Sequence, residues 1–160
     1  MKLVIQVNPR FDEVSAADAP WMSFLASLAA EIGEKGDAVE LSFTDDLEIR
    51  ELNTHWRDKN TATDVLSFSY GRSAPDELAP EDDPVGEIVI SVETAREQAR
   101  SLGHGSEEEL SLLAIHGLFH IIGMDHEDED EAERMAQAED PFRRRLASFF
   151  KSSSDNPPGS

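Results

Sequence analysis

Three of the chain's five histidines fall inside one short stretch, HGLFHIIGMDH, at His116, His120 and His126. Residues four apart on an α-helix are separated by about 40° around the axis and one turn along it, so His116 and His120 present their rings side by side. Gly123 stands where the chain must turn back if His126 is to join them, and glycine ends a helix in the left-handed conformation at least cost. Three neutral imidazoles with Zn–N distances of roughly 2.0–2.1 Å leave a fourth position for water, the open arrangement of catalytic zinc. Water bound in that way has its pKa lowered to about 7 and supplies hydroxide at neutral pH. The spacing therefore predicts one zinc per chain held by His116, His120 and His126, although imidazole also suits copper, iron and nickel.

The spacing H-x-x-x-H-x-x-G-x-x-H is that of the metzincin peptidases, whose glutamate directly after the first histidine acts as general base. Here that position is Gly117, and no other residue of the helix replaces the missing carboxylate. A metallopeptidase is the weakest of the hydrolytic readings for that reason.

The elements that must position this cluster are legible in outline. Leu3 to Val7 is an apolar, β-branched strand ended by Asn8-Pro9. A helix is predicted from Asp18, as N-cap, to about Glu34, with Pro20 in its first turn. Val39, Leu41 and Phe43 alternate as in a half-buried strand, and Thr44 is placed to cap a helix running to Trp56. Strands follow at 64–70 and 86–92, separated by a solvated, acidic and proline-rich loop at 71–84. A helix from Glu93 to Leu102 precedes one whose start has capping-box spacing, Ser106 to Glu109. The sequence after it, LSLLAIHGLFHII, is apolar nearly all round and marks a helix buried on most sides. An acidic, then arginine-rich helix covers 127–150, and the tail 151–160 is predicted disordered. The expected fold class is α+β: a small mixed four-stranded sheet packed with about five helices, in one domain at 1–150, with the metal site on a central buried helix.

Composition narrows the function classes. The net charge is −20 with a pI of about 4.4, which repels nucleic acid and anionic membrane at long range. There is no cysteine, so disulfides, thiolate metal sites and a cysteine nucleophile are excluded. Neither a signal-peptide core nor a run approaching the roughly 20 apolar residues of a membrane span occurs, and a soluble cytoplasmic protein is expected.

With these residues in place, the chain resembles the YbeY proteins, bacterial metal-dependent endoribonucleases of rRNA maturation. HGLFHIIGMDH is similar to the signature H-G-x-L-H-L-x-G-x-D-H, with Phe119 at a leucine position. TDVLSF at 63–68 matches a second hallmark, Leu52-Asn53 with Arg57 matches an L-N-x-x-x-R element, and GEIVIS at 86–91 resembles G-D-I-x-I-S, with Glu87 for aspartate. The resemblance implies an α+β domain, zinc on His116, His120 and His126, and hydrolysis of single-stranded RNA near the 3′ end of 16S rRNA. It also implies a role in ribosome quality control, with small-subunit proteins as partners and the GTPase Era as a further candidate.

Within that resemblance Arg57 is the candidate for stabilising a phosphodiester transition state, because a planar guanidinium suits the developing negative charge. Its alternative is a helix-terminal arginine in a surface ion pair. Asp125 is expected to orient a ligand histidine or assist proton transfer, with a turn residue bonded to its own backbone as the alternative. Thr63, Asp64 and Ser67 serve equally well as caps of the strand entrance. His55 and His104 read as surface residues. An acidic RNA enzyme has to grip RNA locally, so weak intrinsic affinity with steep salt dependence and delivery by a partner are expected. The competing reading is a ribosome-assembly binding module in which the zinc is structural.

Overall fold

The computed structural model describes residues 1–15, 19–33, 37–70, 84–123 and 129–154. Four strands form one sheet: β1 (Lys2–Val7), β2 (Ala38–Thr44), β3 (Val65–Ser69) and β4 (Pro84–Ser91), ordered β1-β2-β4-β3. The first two strands and β4 run parallel, while β3 pairs antiparallel with β4 at the edge, so the sheet is mixed as expected. Parallel neighbours need long crossovers; α1 (Pro20–Ile32) supplies one between β1 and β2, and α2 (Asp46–Arg57) lies on the path from β2 to β4. Three further helices, α3 (Val92–Leu102), α4 (Ser106–Ile121) and α5 (Glu129–Ser154), bring the count of α-helices among the described residues to the expected five. A 3-10 segment at Pro9–Ser15 follows β1, where the sequence pattern predicts nothing regular.

Side chains alternate across a strand, which sorts the apolar residues between two faces. Val39, Leu41, Phe43, Ile88 and Ile90 belong to the main core with α1 and α4, through Leu25, Leu28, Leu110 and Leu118. Leu66 and Val89 meet Ile49 of α2 in a smaller cluster to which Leu52 and Phe68 add their partly buried side chains. Fully burying one Leu or Ile side chain contributes about 1.5–3 kcal/mol. The larger cluster therefore dominates and determines where α4 lies.

Helix α4 is buried along most of its circumference, from Leu110 through Ala114 and Ile115 to Leu118 and Phe119. Two glycines let it approach the sheet. A Cβ at Gly117 would stand 2.9 Å from Cγ2 of Ile88, and one at Gly86 would stand 3.0 Å from Cδ1 of Ile121. The helix stops where the sequence predicts: Ile122 caps it and Gly123 adopts a left-handed φ of 93°.

The predicted caps fare less well. Helix α1 begins at Pro20 with Ala19 as N-cap, and Asp18 lies outside the described residues. Asp45 rather than Thr44 caps α2, accepting the Glu48 N–H at 2.9 Å. The capping box at Ser106 does not form, because α4 starts at Ser106 itself behind Gly105. Glu109 is instead buried and bonded to His104 at 2.6 Å, with Glu108 at 3.1 Å from the other ring nitrogen. His104 is thus a partly buried clamp at the helix start rather than a surface residue. Helix α5 continues through Ser154, into the tail expected to be disordered from 151; residues 155–160 lie outside the described set, as do 71–83 of the expected loop.

Candidate metal centre

The apolar cover of α4 is broken on one side, and that side carries the two helical histidines. The Nε2 atoms of His116 and His120 face each other at 3.0 Å, with ring centroids 4.5 Å apart. At this distance one ring's N–H can donate to the other's nitrogen, or both lone pairs can turn to a shared cation. A separation of 3.0 Å is well under twice a Zn–N distance of roughly 2.0–2.1 Å, so one ion can touch both nitrogens.

The second nitrogen of His116 is also accounted for. Its Nδ1 lies 2.8 Å from Oε1 of Glu139, whose side chain is only 4% exposed. A carboxylate accepting from Nδ1–H leaves Nε2 as the lone-pair donor and holds the ring's orientation, the arrangement in which imidazole serves as a metal ligand. The two described imidazoles are donors of the kind that zinc takes. The remaining predicted ligand, His126, and the predicted orienting residue, Asp125, fall in 124–128, outside the described residues. Among the described residues no group of three His, Asp or Glu side chains is placed to hold a metal.

Glu139 escapes the sequence reading, yet a signal for it exists. Met135, Phe142 and Leu146 form the buried stripe of α5, and Glu139 occupies the position between the first two at helical spacing. An acid placed on an apolar stripe needs a partner. Arg143 approaches its second oxygen at 3.7 Å from the solvent side.

The imidazoles open into a cleft of 490 Å³ between α4 and β3, lined by Arg57, Asp64, Ser67, Ser69, His116 and His120 among others. The arginine reaches this cleft because α2 ends on it: Asp58 takes the left-handed φ of 55° and turns the chain away. Its guanidinium donates to the Ser67 carbonyl at 2.7 Å and lies 5.5 Å from the Phe68 ring centroid. Among the described residues it makes no ion pair, so the surface-pair alternative for Arg57 is not what the fold contains. Asp64 accepts from the Val65 N–H at 2.8 Å, from Thr63 at 3.3 Å and from Gln98 at 3.2 Å, which makes it both the expected strand cap and a wall of the cleft. His55 is exposed and packs edge-on against Trp56, 4.7 Å between centroids.

Comparison with known proteins shows which family the chain is similar to. The family model described as Endoribonuclease YbeY matches residues 12–147. A Petrotoga mobilis protein named Endoribonuclease YbeY is 42% identical over 120 residues, covering 74% of this chain and 78% of its own. One of the same name from Campylobacter jejuni is 43% identical over 116 residues, covering 72% and 81%. The solution structure of a Thermotoga maritima protein superposes with a TM-score of 0.59 at 25% identity, covering 98% of this chain and 99% of that one.

Proposed function

The chain belongs to the YbeY family of endoribonucleases, and from that premise we propose that it is a zinc-dependent endoribonuclease cleaving single-stranded RNA near the 3′ end of 16S rRNA. The observation that carries the reading is the cleft in which paired imidazoles and an arginine without an acidic partner among the described residues converge. His116, His120 and His126 would hold the metal, which when bound supplies a Lewis acid and a water of lowered pKa.

Every other part belongs to the chain. Glu139 keeps His116 in the tautomer that offers Nε2. Arg57 meets the phosphoryl oxygens and offsets the charge that develops as the phosphorus becomes pentacovalent. Asp125, next to His126 in sequence, is assigned the orienting or proton-transfer role. An acidic chain does not find RNA through its own long-range field. Delivery by small-subunit proteins and the GTPase Era, in the cytoplasm and within ribosome quality control, is part of the proposal.

A peptidase loses ground on structure as well as sequence, since the Gly117 position has Ile88 against it and no room for a glutamate. The test is metal analysis with cleavage of a single-stranded RNA by the parent chain, His126→Ala and Arg57→Ala. About one zinc per chain, loss of zinc and cleavage in the histidine variant, and a drop on the order of 10²–10³-fold in the arginine variant are expected. A folded His126→Ala variant that still supports rRNA processing would overturn catalysis by this metal and leave the binding module as the better reading.

A further inference from the structure

The last turn of α2 carries a second feature beside Arg57. Trp56 is 65% exposed, far more than a ring of its size needs to be; it directly precedes Arg57, which lines the cleft, and it packs against the Phe68 ring. That ring touches both neighbours: the Trp56 centroid is 6.4 Å away at 63°, and the Arg57 guanidinium carbon is 5.5 Å from it. His55 meets the indole at 89°. Both contacts are steeply tilted, so neither of these rings lies parallel to the indole plane. The ring is held in place while much of its surface stays open.

In this acidic chain, Arg10, Arg143, Arg144 and Arg145 are each paired with a carboxylate. Arg50, Arg57 and Lys59 are exposed and make no ion pair among the described residues. Three cations without acidic partners among the described residues therefore lie in or just after the helix that carries the open indole, and one of them, Arg57, lines the cleft. Proteins that hold single-stranded nucleic acid combine these two elements, cations that track the phosphates and aromatic faces on which bases stack.

We propose that Trp56 is the stacking platform for an unpaired base flanking the scissile linkage, with Arg50 and Lys59 meeting the adjoining phosphates. A base in a duplex is already stacked on both faces and cannot occupy such a platform, so the same residues select single strands. This inference deepens the endoribonuclease reading and rests on it.

The chain has two tryptophans, and Trp21 packs edge-on to Phe43 in the core. A Trp21→Phe variant therefore reports Trp56 alone by fluorescence, with the parent chain titrated in parallel as a check on the substitution. Titration with a 2′-O-methyl single-stranded oligonucleotide should quench the emission saturably, and the matching duplex should not. Trp56→Ala should raise both Kd for that oligonucleotide and KM for a cleavable one by about 5- to 150-fold, with Trp56→Phe near the parent. Emission unchanged while the oligonucleotide binds, or an unchanged Kd in Trp56→Ala, overturns the platform even when the parent chain cleaves RNA. A parent chain that binds no single-stranded RNA and cleaves none overturns the endoribonuclease reading and the platform with it. Quenching by a small-subunit protein but not by RNA would make the indole a protein contact and overturn the proposal too.

Discussion

Glu139 holds the imidazole of His116 from behind, and the strength of that hold can be measured through the metal. Partners of this kind are worth about 10- to 100-fold in metal affinity. Glu139→Ala should weaken zinc binding by that amount in competition with a chelator. Glu139→Gln should lose less, because an amide oxygen still accepts from Nδ1–H. Equal affinity in the alanine variant and the parent would remove the carboxylate from the site's design. Its neighbours in the cleft divide by what holds them: Asp64 is fixed by three donors, while Arg57 is held by a carbonyl and a ring. An arginine without a counter-charge among the described residues is available to an incoming phosphate.

At the scale of elements, the site depends on how closely α4 lies on β4. An added methyl at Gly117 meets the fully buried Ile88 side chain. Overpacking costs about 1–3 kcal/mol, against roughly 1 kcal/mol gained in helix propensity when Gly becomes Ala. Gly117→Ala should therefore lower Tm by about 2–4 °C, measured by thermal denaturation, and weaken zinc binding as the helix lifts. The other face of the sheet carries its own strain. Burial, with the Glu40 carboxylate nearby, pushes Glu87 above the usual carboxylate range, and the Tyr70 hydroxyl 3.4 Å away is pushed up to about 12 by desolvation and by the charges of Glu87 and Glu40. Folding thus favours protonated Glu87, and stability falls as pH rises from the unfolded carboxyl's range through the raised folded value. Glu87→Gln should raise Tm by a few degrees at neutral pH and converge with the parent below about pH 4. A constant difference at all pH values would refute the ionisation argument.

At the scale of the whole molecule the net charge of −20 opposes RNA, and cations such as Arg50, Arg57 and Lys59, which make no ion pair among the described residues, have to act against it. Binding of single-stranded RNA is expected to be weak and to fall steeply with salt, with Arg50→Ala or Lys59→Ala each reducing the slope of log K against log salt by about 0.7. Affinity indifferent to salt would contradict this. The sequence alone determined the α+β class, the order and most boundaries of the elements, the helical histidine pair and its glycine stop, because period-2 and period-3.6 patterns and turn chemistry are local properties. It located Arg57 by resemblance and missed Glu139, whose partner is 23 residues away in the chain. The caps at Thr44 and Ser106 were misplaced because several polar residues compete for each helix start, and the winner depends on what packs behind it. Tertiary structure alone decided that Gly117 is a close-packing position rather than a vacant base, that Arg57 lacks an acidic partner among the described residues, and that Trp56 stands open beside it. Those three facts are contacts, or the lack of them, between segments distant in sequence, and only the packing of α2 and α4 around β3 and β4 brings such segments together.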